Sequence, residues 1–290
     1  MRLVFLVLFV ATLAANPASQ AQPLPCPSRV PYGANDKAGH TVTVNGIRLY
    51  YETYGRGRPL LLIHGNGGSI GVARCQIPYF SRSYRVIVTD SRAHGKTEDG
   101  SGPLTYEQMA DDLAAMLMQT NTGPVNIIGQ SDGAILGLLL AIHHPALVSK
   151  LVAFAPNLRP DDTALMDWVR PSMIKARDDA EAMLAKGDRS QNWSRIKRHN
   201  QLMLDEPNIP VSELRRIEAP TLLMASDADA INLEHFIEIY RALPKGHFAI
   251  LPGTTHLALF QKPELFNSTA ERFLKEPFDR PTTKAAFGVQ

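Results

Sequence analysis

Gly129-Gln130-Ser131-Asp132-Gly133 sets a serine between two glycines where one apolar run, Val125 to Ile128, gives way to another, Ala134 to Ile142. The first run reads as a strand. The second, apolar all round, reads as a buried helix. So sharp a strand-to-helix turn forces the two backbones together and demands small residues on either side, leaving Ser131 projecting clear of the packing. The helix N-terminus beneath it presents unpaired N–H groups and a partial positive charge. The bland alternative is a serine helix cap between packing glycines. The chemical one is a nucleophile, and a serine hydroxyl needs a base to become one.

His256 has the address of that base, in Pro252-Gly253-Thr254-Thr255-His256 directly after the apolar run Phe248 to Leu251. Other histidines are worse placed. His143 and His144 close the buried helix before Pro145, where positive charge suits the helix dipole. His247 precedes a strand, and His199 and His235 lie in helical stretches. A base of this kind needs a carboxylate to fix its tautomer and stabilise its charged form. Asp227 and Asp229 both follow the run Thr221 to Ala225; Asp229, further past the strand end, turns more easily toward the sheet edge and is the expected partner. An oxyanion would be held by the N–H of Asp132 and by the N–H of Asn66, in the glycine-rich loop His64-Gly65-Asn66-Gly67-Gly68. A nucleotide-binding reading of that loop fails on spacing, because the third glycine would fall at position 70, which is Ile70. No metal or organic cofactor is implied.

The elements that must position these residues alternate along the chain. Thr41 to Val44 and Ile47 to Tyr54 flank Asn45-Gly46, a hairpin signal. Pro59 to Ile63 runs as a strand into the glycine-rich loop, and Arg85 to Thr89 is a strand ending at Asp90. Thr105 opens a helix with Gln108 three residues on, as in a capping box, and Tyr106, Met109, Leu113, Met116 and Leu117 follow at helical spacing. Leu151 to Phe154 is a further strand. From about 157 to 219 charges are dense and no strand is evident, which predicts a helical insertion over the rest. Thr221 to Ala225, a helix from about Leu233, Phe248 to Leu251 and a helix from about Glu264 to Leu274 resume the alternation. The expected fold is α/β, one domain over about 40–280 with a mostly parallel central sheet flanked by helices, between an irregular arm at 22–39 and a loose tail at 281–290. In such sheets ligand chemistry gathers at the carboxyl ends of the strands, where the polar and glycine-rich clusters fall.

With 290 residues, 44% of them hydrophobic, the chain can bury a sizeable core, and 30 Lys and Arg against 28 Asp and Glu point to neither nucleic acid nor an anionic membrane. Arg2, the apolar run Leu3 to Ala15 and Ala18-Ser19-Gln20-Ala21 have the layout of a secretory signal, expected at 1–21. The run is shorter than the roughly 20 residues of a membrane span, so a secreted or periplasmic protein is expected. Cys26 and Cys75 are the two cysteines, either bridged or free. Asn192-Trp193-Ser194 and Asn267-Ser268-Thr269 fit the glycosylation pattern.

Taken in order, His64-Gly65, Asp90-Ser91-Arg92-Ala93-His94-Gly95, Gly129 to Gly133, the Asp229 loop and the His256 loop resemble the α/β-hydrolase superfamily over about Tyr50 to Leu274. Ala93 and Thr97 stand where related members usually carry glycine and serine. The resemblance implies the nucleophile–acid–base order Ser131, Asp229, His256, favours Asp229 over Asp227, and makes 157–219 the cap that shapes the substrate pocket. Ser131-Asp132-Gly133 looks like the valacyclovirase and biphenyl-hydrolase-like branch, which includes esterases acting on α-amino-acid esters; Asp132 is then either a receptor for a substrate amine or a carboxylate stabilising the helix N-terminus. The expected activity is hydrolysis of a carboxylic ester, or of an amide, through an acyl-enzyme. Acyl transfer, carbon–carbon bond hydrolysis, aminopeptidase action and non-catalytic binding are the alternatives.

Overall fold

The computed structural model describes residues 26–288, so the expected signal segment lies outside the described residues. The chain runs β1 (Gly39–Val44), β2 (Ile47–Tyr54), β3 (Arg58–Ile63), a 3-10 stretch (Ile70–Cys75), α1 (Ile77–Phe80), β4 (Tyr84–Thr89), α2 (Tyr106–Gln119), β5 (Val125–Gln130), α3 (Asp132–His143) and β6 (Val148–Phe154). It continues through α4 (Val169–Ala185), α5 (Trp193–Asp205), β7 (Thr221–Ala228), α6 (Leu233–Ala242), β8 (Gly246–Thr255), α7 (Ala258–Gln261), α8 (Pro263–Lys275) and α9 (Thr283–Ala286).

The strands form one eight-stranded sheet in the order β1-β2-β4-β3-β5-β6-β7-β8. The Asn45-Gly46 hairpin pairs β1 with β2 antiparallel, β2 pairs antiparallel with β4, and every other pairing is parallel. Leu60, Leu61, Ile127, Leu151, Val152 and Leu223 are fully buried, as expected of strands covered on both faces. β3 has β4 on one side and β5 on the other, so the strand order reverses there. That switch point lies beside the ends of β3 and β5, which lead into the His64–Gly68 loop and into Ser131.

Several elements differ from expectation. β7 and β8 are longer than their apolar runs, because parallel pairing carries them through Ala228 and Thr255 with one register irregularity near Ser226. Pro252-Gly253 therefore lies within a strand rather than after it. The segment 70–80 is helical, and the tail includes the helical turn α9. Thr105 caps α2 by accepting the Gln108 N–H at 3.2 Å, but the Gln108 side chain turns forward to Asp112 rather than back to the cap, so half of the capping box forms.

The insertion contributes the helix pair α4 and α5. A disulfide joins Cys26 to Cys75. The buried Glu52 carboxylate accepts the Gly33 and Asn35 N–H groups and the Tyr50 and Tyr54 hydroxyls, fixing the arm a second time. Asn267 is 2% exposed and donates to the Cys75 carbonyl, so it has no room for a glycan; Asn192 is exposed but caps α5 through the Arg195 N–H.

Candidate functional site

Ser131 stands at the corner between β5 and α3 with φ +53° and ψ −120°, a backbone conformation that L side chains rarely adopt. The corner is closed by its glycines. A Cβ at Gly129 would overlap the Gly133 carbonyl, and one at Gly133 would overlap the carbonyls of Ile63 and His64. The Ser131 N–H donates to the Phe154 carbonyl at 2.8 Å, tying the corner to the end of β6. The Phe154 ring in turn lies 6.3 Å from the His256 ring. Gly65 passes so near that a Cβ there would sit 3.0 Å from Ser131 Cβ.

His256 and Asp229 meet beside Phe154. His256 Nδ1 lies 2.7 Å from Asp229 Oδ1. A carboxylate accepts, so Nδ1 carries the proton and Nε2 is the free nitrogen. The Asp229 carboxylate is itself fixed by the N–H groups of Ser226, Ala230 and Ile231. Burial disfavours the charged form of His256, but the hydrogen bond and charge of Asp229, helped by Asp132, outweigh it and raise the pKa above the ordinary value. Asp227 serves a different purpose: it accepts the N–H groups of Gly253 and Thr254, at 2.7 and 3.0 Å, and so shapes the backbone leading to His256. Among the described residues no hydrogen bond joins Ser131 Oγ to His256.

Around the serine, the Gly67 N–H donates to His94 and the Gly68 N–H to the Gly65 carbonyl, whereas the N–H groups of Asn66 and Asp132 have no acceptor on another residue among the described residues. The Asn66 side chain donates to Asp132 Oδ2 at 2.8 Å and to the His199 carbonyl at 3.3 Å. Asp132 is buried, and its carboxylate also receives the Tyr106 hydroxyl. Burial raises its pKa, against the lowering effect of those two hydrogen bonds and of His256. The Tyr106 N–H donates to Glu206 at the end of α5, so one tyrosine links the insertion to the first turn of α3.

Three residues here escape a reading of the sequence alone. Tyr106 looks like core at helical spacing, and His94 belongs to a loop known only by resemblance. His199 reads as an ordinary helical position, yet α5 brings its ring onto that of His94, 3.9 Å away and 4° from parallel. The Asp90 loop also shows where two departures from the usual pattern sit. Ala93 holds φ +62°, where glycine is at ease, and the Thr97 hydroxyl donates to the Asp90 carbonyl and accepts the Tyr50 N–H, as a serine would. Among the described residues no cluster of His, Cys, Asp and Glu is placed to hold a metal, and no helix is long and apolar enough to cross a membrane.

The profile of a family described as alpha/beta hydrolase fold matches residues 58–173. A 2-hydroxy-6-oxo-6-(2'-aminophenyl)hexa-2,4-dienoic acid hydrolase of Metapseudomonas resinovorans is 28% identical over 84% of this chain and 93% of its own length. An sn-1-specific diacylglycerol lipase of Danio rerio is 28% identical over 83% of this chain and 87% of its own length. Among solved structures, the enol-lactonase from Burkholderia xenovorans LB400 superposes with a TM-score of 0.69 at 21% identity, over 82% of this chain and all of its own.

Proposed function

Because the chain belongs to the α/β-hydrolase superfamily and is a hydrolase, we propose that it cleaves a carboxylic ester through an acyl-enzyme on Ser131, with His256 as base and Asp229 as its orienting carboxylate. The observation that carries this reading is the 2.7 Å contact between Asp229 and His256 Nδ1, which leaves Nε2 free to take a proton, on the same sheet edge as the strained Ser131 corner. Substrate binding brings Ser131 Oγ and His256 Nε2 within hydrogen-bond reach, a contact that is often loose without substrate. His256 takes the hydroxyl proton as Ser131 adds to the carbonyl, and returns it to the leaving group as the tetrahedral adduct collapses. The Asn66 and Asp132 N–H groups stabilise the oxyanion in both steps. Water, deprotonated by His256, then releases the acid.

Ester chemistry is favoured by two of the similar proteins, a lipase and a lactonase by name. Carbon–carbon cleavage is the second reading, drawn from the name of the Metapseudomonas relative. A disulfide suits an oxidising compartment, which supports an exported location, and the substrate we infer is a small molecule reached beneath the cap.

The test treats the purified protein with a fluorophosphonate probe and a short-chain p-nitrophenyl ester, beside Ser131→Ala and His256→Ala. Labelling and turnover are expected in the wild type and lost in both variants. A wild type that neither labels nor turns over would remove the reading, and product analysis with an added alcohol would separate transfer from hydrolysis.

A further inference from the structure

Three histidines outside the triad stand in a column behind the Asn66 loop. His64 Nδ1 donates to the Gly65 carbonyl and its Nε2 accepts the Ser91 N–H. His94 Nδ1 donates to the Arg92 carbonyl and its Nε2 accepts the Gly67 N–H. In both, a carbonyl on one nitrogen and an amide N–H on the other fix one neutral tautomer. The rings of His64 and His94 are 5.0 Å apart and tilted, and the ring of His199 stacks on that of His94. His199 belongs to the cap. Its Nε2 donates to the Ala93 carbonyl at 2.9 Å, and its backbone carbonyl receives the Asn66 amide.

The cap thus touches the Asn66 loop at two points, through the His199 ring by way of His94 and through the His199 carbonyl directly. The rest of α5 is tied elsewhere. Arg195 reaches Asp99, Gly95 and Thr97, and Arg198 reaches Gly102, all on the loop after β4. The charged and titratable groups facing the column are Asp90 beside His64, Arg195 and Asp99 beside His199, and Asp132 across Asn66. Ring stacking passes a displacement of one residue to the other because packed groups have discrete arrangements and do not deform continuously.

We propose that His199 is a positioning residue that couples the cap to the oxyanion loop, so that donor placement beside Ser131 depends on the seating of α5. The role deepens the serine-hydrolase reading and rests on it. His199 touches neither the nucleophile nor the base, and acts through His94, Gly67 and Asn66. A displaced cap would leave Ser131, His256 and Asp229 in place and misplace the Asn66 N–H.

The coupling is read first without turnover, by amide hydrogen exchange over residues 64–68 in the full chain, for wild type, His199→Ala, His199→Phe and Arg198→Ala. His199→Ala, which loses both ring contacts, is expected to speed exchange in this segment while β5 and β6 stay protected. His199→Phe keeps a flat ring on His94 and should recover part of the protection. In turnover of a p-nitrophenyl ester, His199→Ala should lower kcat about tenfold, less than outright deletion of a donor, with KM within about twofold and fluorophosphonate labelling of Ser131 retained. Unchanged exchange at 64–68 in His199→Ala, a change confined to KM, or an equal effect from Arg198→Ala would overturn the assignment. Absence of labelling in the wild type would instead remove the serine-hydrolase reading, and the exchange comparison would still decide whether His199 couples cap and loop.

Discussion

Asp227 and Asp229, two positions apart at the end of β7, hold different parts of one segment: Asp229 binds the His256 ring, and Asp227 binds the backbone N–H groups of Gly253 and Thr254 at the end of β8 that lead to it. Their removal should therefore have different signatures. Asp229→Asn presents an amide to His256 Nδ1, admits the wrong tautomer, and should lower kcat by roughly three to four orders of magnitude. Asp227→Asn should cost far less, through loosened placement of His256. Steady-state kinetics on one ester decides; equal losses would show that Asp229 has no special part.

The raised pKa of His256 sets the pH dependence. The base works only when neutral, and Asp229 holds the proton on it to a pH above the ordinary histidine value of 6.5. The kcat/KM profile should therefore rise with pH through a midpoint above 6.5, and Asp229→Ala should move any residual activity to a lower midpoint. A wild-type midpoint below 6.5 contradicts the assignment of His256 as base.

Asp132 offers a separate test. Its buried carboxylate receives Asn66 and Tyr106, so Asp132→Asn replaces an acceptor with a group that must turn a donor toward one of them. Such a mismatch costs about 1–3 kcal/mol and should appear as a lowered urea midpoint. Activity should fall alike on plain and α-amino esters, because Asp132 acts through Asn66. A loss confined to amino esters would instead mark Asp132 as an amine receptor.

Acid should weaken the fold before it exposes the core carboxylates. Burial lowers the pKa of His64, His94 and His199, the last to about 4. The unfolded chain binds these protons near the ordinary value, so the stability held by the neutral rings is complete above pH 6.5 and is lost as pH falls toward 4. For His199 alone the displacement corresponds to roughly 3 kcal/mol. Urea unfolding at pH 7.5 and pH 5 should show part of this loss, because pH 5 still lies above the folded value of about 4, and His199→Phe should reduce it.

At the corner itself, Gly133→Ala forces a methyl group against the Ile63 and His64 carbonyls. Because the obstacle is backbone on a central strand, it cannot rotate away. The variant should lose more than the roughly 1–3 kcal/mol of ordinary overpacking, seen as a collapse of soluble folded protein or a large fall in Tm.

What was legible in the sequence is what local geometry dictates. The Gly129–Gly133 corner carries its own steric requirement, and the α/β alternation follows from apolar runs of strand and helix length. The ends of β7 and β8 were not legible, because Pro252-Gly253 reads as a turn: Gly253 does hold φ +63°, but the Asp227 carboxylate takes its N–H and β8 resumes its pairing with β7 at Thr255. Tyr106 and His199 were missed for a related reason. Each sits at an ordinary helical position, and its partners lie 26 and 106 residues away in Asp132 and Ala93, contacts that no periodicity records.

The bridge between Cys26 and Cys75 encloses β1, β2, β3 and the whole His64–Gly68 segment in one covalent ring, while Ser131, Asp229 and His256 lie outside it. The proposed machinery is therefore divided between two parts of the chain under different constraint. The Asn66 donor belongs to a closed hoop whose slack is limited even when the protein breathes, whereas the Asp132 donor and the proton-transfer groups belong to open chain held by hydrogen bonds and packing. A reductant would act on the first and spare the second, slackening the grip on the oxyanion while the Asp229–His256 contact stays intact.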